Sequence, residues 1–143
     1  MTRITASIDI AAPPEAVWKV LMDWGRYGEW NPTLRAIAGQ ARKGGKITVS
    51  IASPVGTLPI DAVVTRLATN SGITWHSKMR LNGLFDRDHI IELSPDPVGT
   101  RFVQTQTFSG ILAPGASVVA TSTVRDGFEK MNAALKERVE NGA

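Results

Sequence analysis

Between residues 34 and 110 the chain is punctuated by turn signals at short, fairly even intervals, with no helical pattern between them. Gly44-Gly45, Pro54-Val55-Gly56, Asn70-Ser71-Gly72, Asn82-Gly83 and the loop from Pro95 to Gly99 divide it into segments of strand character near residues 34–40, 45–53, 58–68, 72–80, 84–94 and 99–110. Asn82-Gly83 is the strongest hairpin signal, because both residues tolerate positive φ. Successive strands joined by short connections must run antiparallel. Such a sheet needs cover on one face, and the sequence offers a single long helix to supply it. After Pro114-Gly115, the residues Val124, Phe128, Met131, Leu135 and Val139 recur at helical spacing, while Arg125, Lys130, Lys136 and Glu137 fall elsewhere on the wheel.

The N-terminal segment adds one strand and two short helices. Ile4, Ala6, Ile8 and Ile10 alternate with Thr5, Ser7 and Asp9, which predicts a half-buried strand over 3–10. Pro13 and Pro14 suit the first turn of a helix beginning at Glu15, whose apolar stripe is Val17, Val20, Leu21 and Trp24, with Gly25 at its end. A second helix over Arg26–Trp30 stops ahead of Pro32. The class is therefore α+β: a seven-stranded antiparallel sheet, curved by its own twist around a long C-terminal helix, with two short helices after the first strand.

Length and composition narrow the function. At 143 residues with 43% hydrophobic residues, one domain (residues 1–143) with a real core is expected. There is no cysteine, so disulfides, thiolate metal sites and a cysteine nucleophile are excluded. The two histidines, His76 and His89, fall on different strand faces, which argues against a histidine metal site, and no cofactor is expected. The net charge of +3 is scattered, with only Arg42, Lys43 and Lys46 clustered in a turn, so a nucleic-acid surface is not indicated. No stretch has the length and apolarity of a membrane span, and the first residues lack the apolar run of a signal peptide, so the expected location is the cytoplasm. Gly39 and Gly44 have P-loop spacing, but Gly45 stands where lysine is required and a strand follows.

The long helix is uneven, and this points to a pocket. Its first part, Ala116 to Thr123, is built of small or β-branched residues, whereas Phe128, Met131 and Leu135 crowd its second. The small side chains leave space against the sheet beside residues 116–124 unless Trp75, Phe85, Phe102 and Phe108 fill it. The strands supply polar groups for such a space. Phe85, Arg87, His89, Ile91 and Leu93 share one face, as do Phe102, Gln104, Gln106 and Phe108, and the aromatic residues mark both faces as inward. Arg87, His89, Gln104 and Gln106 then converge in an apolar hollow, the usual design for orienting a ligand. The expected ligand contacts are these four with Trp75, Met79, Phe85, Phe102, Phe108, Ala120, Thr121, Val124 and Phe128. His89 is a candidate general acid or base and Arg87 a candidate holder of a carboxylate or enolate. A network that only satisfies its own hydrogen bonds is the structural alternative.

Several segments resemble the START-like (SRPBCC) superfamily. The run Ile8-Asp9-Ile10-Ala11-Ala12-Pro13-Pro14-Glu15-Ala16-Val17-Trp18 is similar to its opening, as is Tyr27-x-x-Trp30-Asn31-Pro32 after the first helix. Gly99-Thr100-Arg101 leading to Phe108-Ser109-Gly110 resembles the last strand of the polyketide cyclase/dehydrase-like branch, and Phe128-x-x-Met131-Asn132-x-Ala134-Leu135-Lys136 its C-terminal helix. The resemblance implies a helix-grip fold around a hydrophobic cavity. It also implies one of three roles: a carrier of a small hydrophobic molecule, a cyclase or dehydratase working through His89, or an interaction module. In that branch an acidic residue often precedes the final Phe-x-Gly, and here Gln106 stands at that position. An amide cannot serve as a general base, which tilts the expectation toward binding.

Overall fold

A computed structural model describes residues 2–53, 56–78, 86–109 and 118–142. The elements follow in the order β1 (Thr2–Ile10), α1 (Pro14–Met22), a 3-10 turn (Trp24–Arg26), α2 (Tyr27–Trp30), β2 (Leu34–Gly39), β3 (Lys46–Ser53), β4 (Gly56–Ala68), β5 (Gly72–Lys78), β6 (Asp86–Pro95), β7 (Thr100–Ser109) and α3 (Val118–Glu140). The strands form one antiparallel sheet in the order β1-β7-β6-β5-β4-β3-β2. β1 therefore leaves its chain neighbours and pairs along its whole length with the last strand, Thr2 opposite Phe108 and Ile10 opposite Thr100. Bulges between Leu34 and Ala36 and between Val64 and Arg66 add local bend to the sheet. The result is the helix-grip arrangement, a curved sheet closed by α3.

The apolar stripe of α3 faces inward as its spacing requires: Phe128, Met131, Leu135 and Val139 are buried, each burial contributing about 1.5–3 kcal/mol. Met131, Leu135 and Val139 join the main core with Ile10, Val17, Leu21, Ile91, Leu93 and Phe102, while Phe128 packs separately with Ile4 and Phe108. α1 ends at Met22, earlier than the Gly25 stop that its sequence suggested, because the backbone tightens into the 3-10 turn that carries Trp24. Tyr27 is buried and its hydroxyl donates to the Leu21 carbonyl at 2.6 Å, tying α2 back onto α1. Its ring meets Trp30 edge-on, with centroids 5.2 Å apart. Gly99 is needed where the β6–β7 loop meets the end of β1. Its φ is +153°, and a Cβ there would lie 2.7 Å from backbone atoms of Ile10 and Ala12.

Candidate functional site

Strand pairing brings the polar residues together. Trp75 lies opposite His89, His89 opposite Gln106, and Gln106 opposite Ile4, so one row crosses four strands on the inner face. The next row runs Ile73, Ile91, Gln104, Ala6. Gln104 is thus diagonal to His89, within side-chain reach. His89 Nε2 is 2.8 Å from Gln104 Oε1, and Gln104 Nε2 donates to Asn132 Oδ1 of α3 at 2.7 Å. All three residues are buried. This chain of hydrogen bonds joins β6, β7 and the helix through the gap between the two apolar clusters.

His89 is flanked by aromatic rings, with Trp75 at 4.6 Å and Phe128 at 5.2 Å between centroids. Burial brings its pKa down to about 4, the bond to Gln104 opposes the shift, and the nearby Arg87 charge adds to it. At neutral pH the imidazole is uncharged. Arg87 is half-buried, and its Nε is fully enclosed without a hydrogen-bond partner among the described residues. Desolvation draws its pKa below the ordinary guanidinium value. None of the ion pairs among the described residues includes it.

These groups line a cavity of about 370 Å³ between sheet and helix. Arg87, His89, Gln104 and Gln106 form one wall, Val124, Gly127, Phe128 and Met131 of α3 another, and Thr33, Leu34 and Ile51 a third. The exposed Asp126 and Lys130 stand at its rim. The third wall depends on a turn held by Asn31, whose Oδ1 accepts from the backbone N–H groups of Thr33 and Leu34 at 3.0 and 2.9 Å. Thr33 in turn donates to the Gly127 carbonyl at 2.9 Å. A Cβ at Gly127 would lie 3.2 Å from the Thr33 methyl, so glycine permits the helix to approach this turn closely.

Placement differs from the sequence reading in several respects. On α3 the described lining of the cavity runs from Thr123 to Met131 and meets the expected 116–124 stretch at Thr123 and Val124, while residues 116 and 117 and the side chains of 118–121 lie outside the described residues. Trp75 is absent from its described lining and instead backs His89, bordering a smaller void of about 30 Å³. Phe102 and Phe108 also do not line it: Phe102 is wholly buried in the main core, and Phe108 packs on Ile4 and Phe128. Among the described residues, Trp75, Phe102 and Phe108 therefore leave this space open. Met79, Phe85 and the side chains of Ala120 and Thr121 lie outside what the structure describes. Asn132, Thr33 and Gly127 were not anticipated. An asparagine inside an apolar helical stripe and a glycine in mid-helix were the available signals.

The outer face of the same strands carries different chemistry. His76 lies opposite Asp88, and its Nδ1 is 2.7 Å from the carboxylate, with both side chains about one-third exposed (34% and 39%). Among the described residues no group of three histidine, aspartate or glutamate side chains is placed to hold a metal. No described helix is long and apolar enough to cross a membrane.

Comparison with known proteins accords with this architecture. The chain is 25% identical over 122 residues to a Streptomyces violaceoruber protein named as ketoacyl reductase 2 of the granaticin polyketide synthase; the match takes in 85% of this chain and 48% of that one, so the chain spans about half its length. Among solved structures it is similar to the MLL2253 protein of Mesorhizobium loti, with a TM-score of 0.77, 17% identity and 99% of each chain covered. It is also similar to DynU16, a protein in the dynemicin biosynthetic locus, with a TM-score of 0.76 and 14% identity, covering 98% of this chain and 48% of that one. Over residues 1–140 it matches the family described as polyketide cyclase/dehydrase and lipid transport, and it belongs to that family.

Proposed function

We propose that this protein binds or carries a small, mostly apolar molecule in the cavity between sheet and helix, with the polar end of the ligand held at Arg87, His89, Gln104 and Gln106. The observation that carries this reading is a half-buried guanidinium whose enclosed Nε has no hydrogen-bond partner, and which has no carboxylate partner among the described residues, on the wall of a 370 Å³ space. Leaving a buried donor unpaired costs about 1–3 kcal/mol, and a bound oxygen would recover it. A polyketide-like or lipid-like ligand is supported by the family and by the two relatives linked to granaticin and dynemicin biosynthesis.

Binding is favoured over acid–base turnover by the environment of the imidazole. With a pKa near 4, His89 is not an imidazolium at neutral pH, so it has no acidic proton to give, and it is a weak base. Gln106, beside it, does not titrate.

Native mass spectrometry of freshly purified protein, joined to titration with the neutral apolar dye N-phenyl-naphthylamine, tests the reading. Val124→Trp directs an indole into the cavity and is expected to abolish dye binding while the protein stays folded. A protein with no co-purifying ligand, whose dye binding is absent or indifferent to Val124→Trp, would overturn the proposal.

A further inference from the structure

The hydrogen-bond chain behind the cavity wall fixes which nitrogen of His89 carries the proton. Gln104 Nε2 donates to Asn132 Oδ1, so the other end of the amide, Oε1, is the atom that meets His89. An amide oxygen only accepts, and Nε2 of His89 must therefore donate. The neutral imidazole has one N–H. Nδ1 is left as a bare lone pair, and among the described residues nothing donates to it. The residue is only 7% exposed, and it lines the cavity. On the same strand face, two residues away, stands Arg87, whose Nε has no hydrogen-bond partner among the described residues. The wall thus presents an acceptor and a cation whose Cα atoms are separated by about two strand rises, roughly 6.6 Å.

We infer that the ligand is an apolar molecule bearing both a hydroxyl that donates to Nδ1 of His89 and an anionic or strongly polarised oxygen that binds Arg87, set too far apart to bond to each other. A phenol or alcohol placed meta, or more distantly, to a carboxylate or enolate has this character. An ortho-hydroxy acid closes its hydrogen bond internally and would leave Nδ1 unsatisfied. The inference rests on the binding reading above and adds a donor–acceptor code to it. The uncharged state of the imidazole at neutral pH, a consequence of its burial, is what keeps Nδ1 an acceptor.

Four naphthalene probes separate the contributions by isothermal titration: the naphthoate with a hydroxyl meta to its carboxylate, its methyl ether, the parent naphthoate, and the naphthol without a carboxylate. The hydroxynaphthoate is expected to bind about tenfold more tightly than each of the other three, the worth of one well-placed hydrogen bond or ion contact. His89→Phe keeps the ring between Trp75 and Phe128 and should erase the preference for hydroxyl over methyl ether while retaining the preference for carboxylate. Arg87→Met should do the converse. Equal affinities for the four probes, or a hydroxyl preference that survives His89→Phe, would overturn the inference. So would failure of all four where N-phenyl-naphthylamine still binds, which leaves the binding reading standing. Failure of the dye as well would remove both. Nitrogen NMR of the wild-type protein gives a check that does not depend on variants folding: the proton must reside on Nε2. A proton on Nδ1, as when both amides of the chain are turned over, refutes the code.

Discussion

Part of the destabilisation on acidification should come from one residue, His89. His89 has a pKa near 4 when folded, against an ordinary value of 6.5. The unfolded chain therefore takes up the proton first as pH falls. The stability that His89 contributes is fully present above about pH 6.5 and is lost progressively until about pH 4. Integrating the two titrations gives a loss of about 2.5 kcal/mol between about pH 7.5 and pH 4.5, of which about 1.4 kcal/mol is gone by about pH 5.5. His89→Gln provides the reference, since a glutamine amide can place a donor where Nε2 lies and keep the bond to Gln104 without titrating. Carboxylates perturbed by partners titrate alike in both proteins and cancel. Glu29 is held low by its bond from Arg138, and Glu140 by the Ala11 N–H and Lys136. Urea unfolding followed by tryptophan fluorescence, repeated across this range, gives the stability difference between wild type and variant. That difference should shift by about 2.5 kcal/mol in favour of the variant on going to about pH 4.5. Curves that stay parallel would refute the reasoning, because they would mean that His89 titrates alike in the folded and unfolded chain.

Gln104→Leu leaves the His89 N–H and the Asn132 carbonyl without partners, and equilibrium unfolding should show a loss of about 2–4 kcal/mol. Tyr27→Phe removes the buried bond to Leu21, and the same measurement should show a loss of about 1–2 kcal/mol, with α2 the first element to exchange its amide protons. Gly127→Ala should not deliver the roughly 1 kcal/mol that alanine ordinarily gains in a helix, because the new methyl meets Thr33 at 3.2 Å. In a Thr33→Ser background, which keeps the hydroxyl and removes the obstructing methyl, that gain should reappear in a double-mutant cycle.

The sheet and the long helix were legible because alternation and helical spacing are direct images of which side must be buried. The same logic identified Arg87, His89, Gln104 and Gln106 as sharing an inner surface, and pairing between β6 and β7 brings them to one wall. Alternation gives a side but not a depth. Phe102 and Phe108 face inward as expected, yet both are buried within the clusters that back the cavity and are absent from its described lining. Trp75 also faces inward but stands behind His89. The third wall of the cavity was not legible for a related reason: it depends on how closely the Thr33 turn approaches Gly127, a contact between residues 94 apart that no local pattern records. Asn132 reads as a polar interruption of a stripe until its partner on β7 is known.

The His76–Asp88 pair on the outer face has a bearing on the inner one. If β6 slipped by a single residue against its neighbours, Asp88 or Ile90 would occupy the place of His89, and the cavity would gain a carboxylate or lose its polar wall. The outer hydrogen-bonded pair is lost in any one-residue slip, because it needs the alignment that sets His76 opposite Asp88 and Trp75 opposite His89. A contact that touches no ligand thus discriminates between a strand that offers imidazole to the interior and one that offers acid. Drift at His76 or Asp88 would be felt as loss of alignment before it was felt as loss of charge.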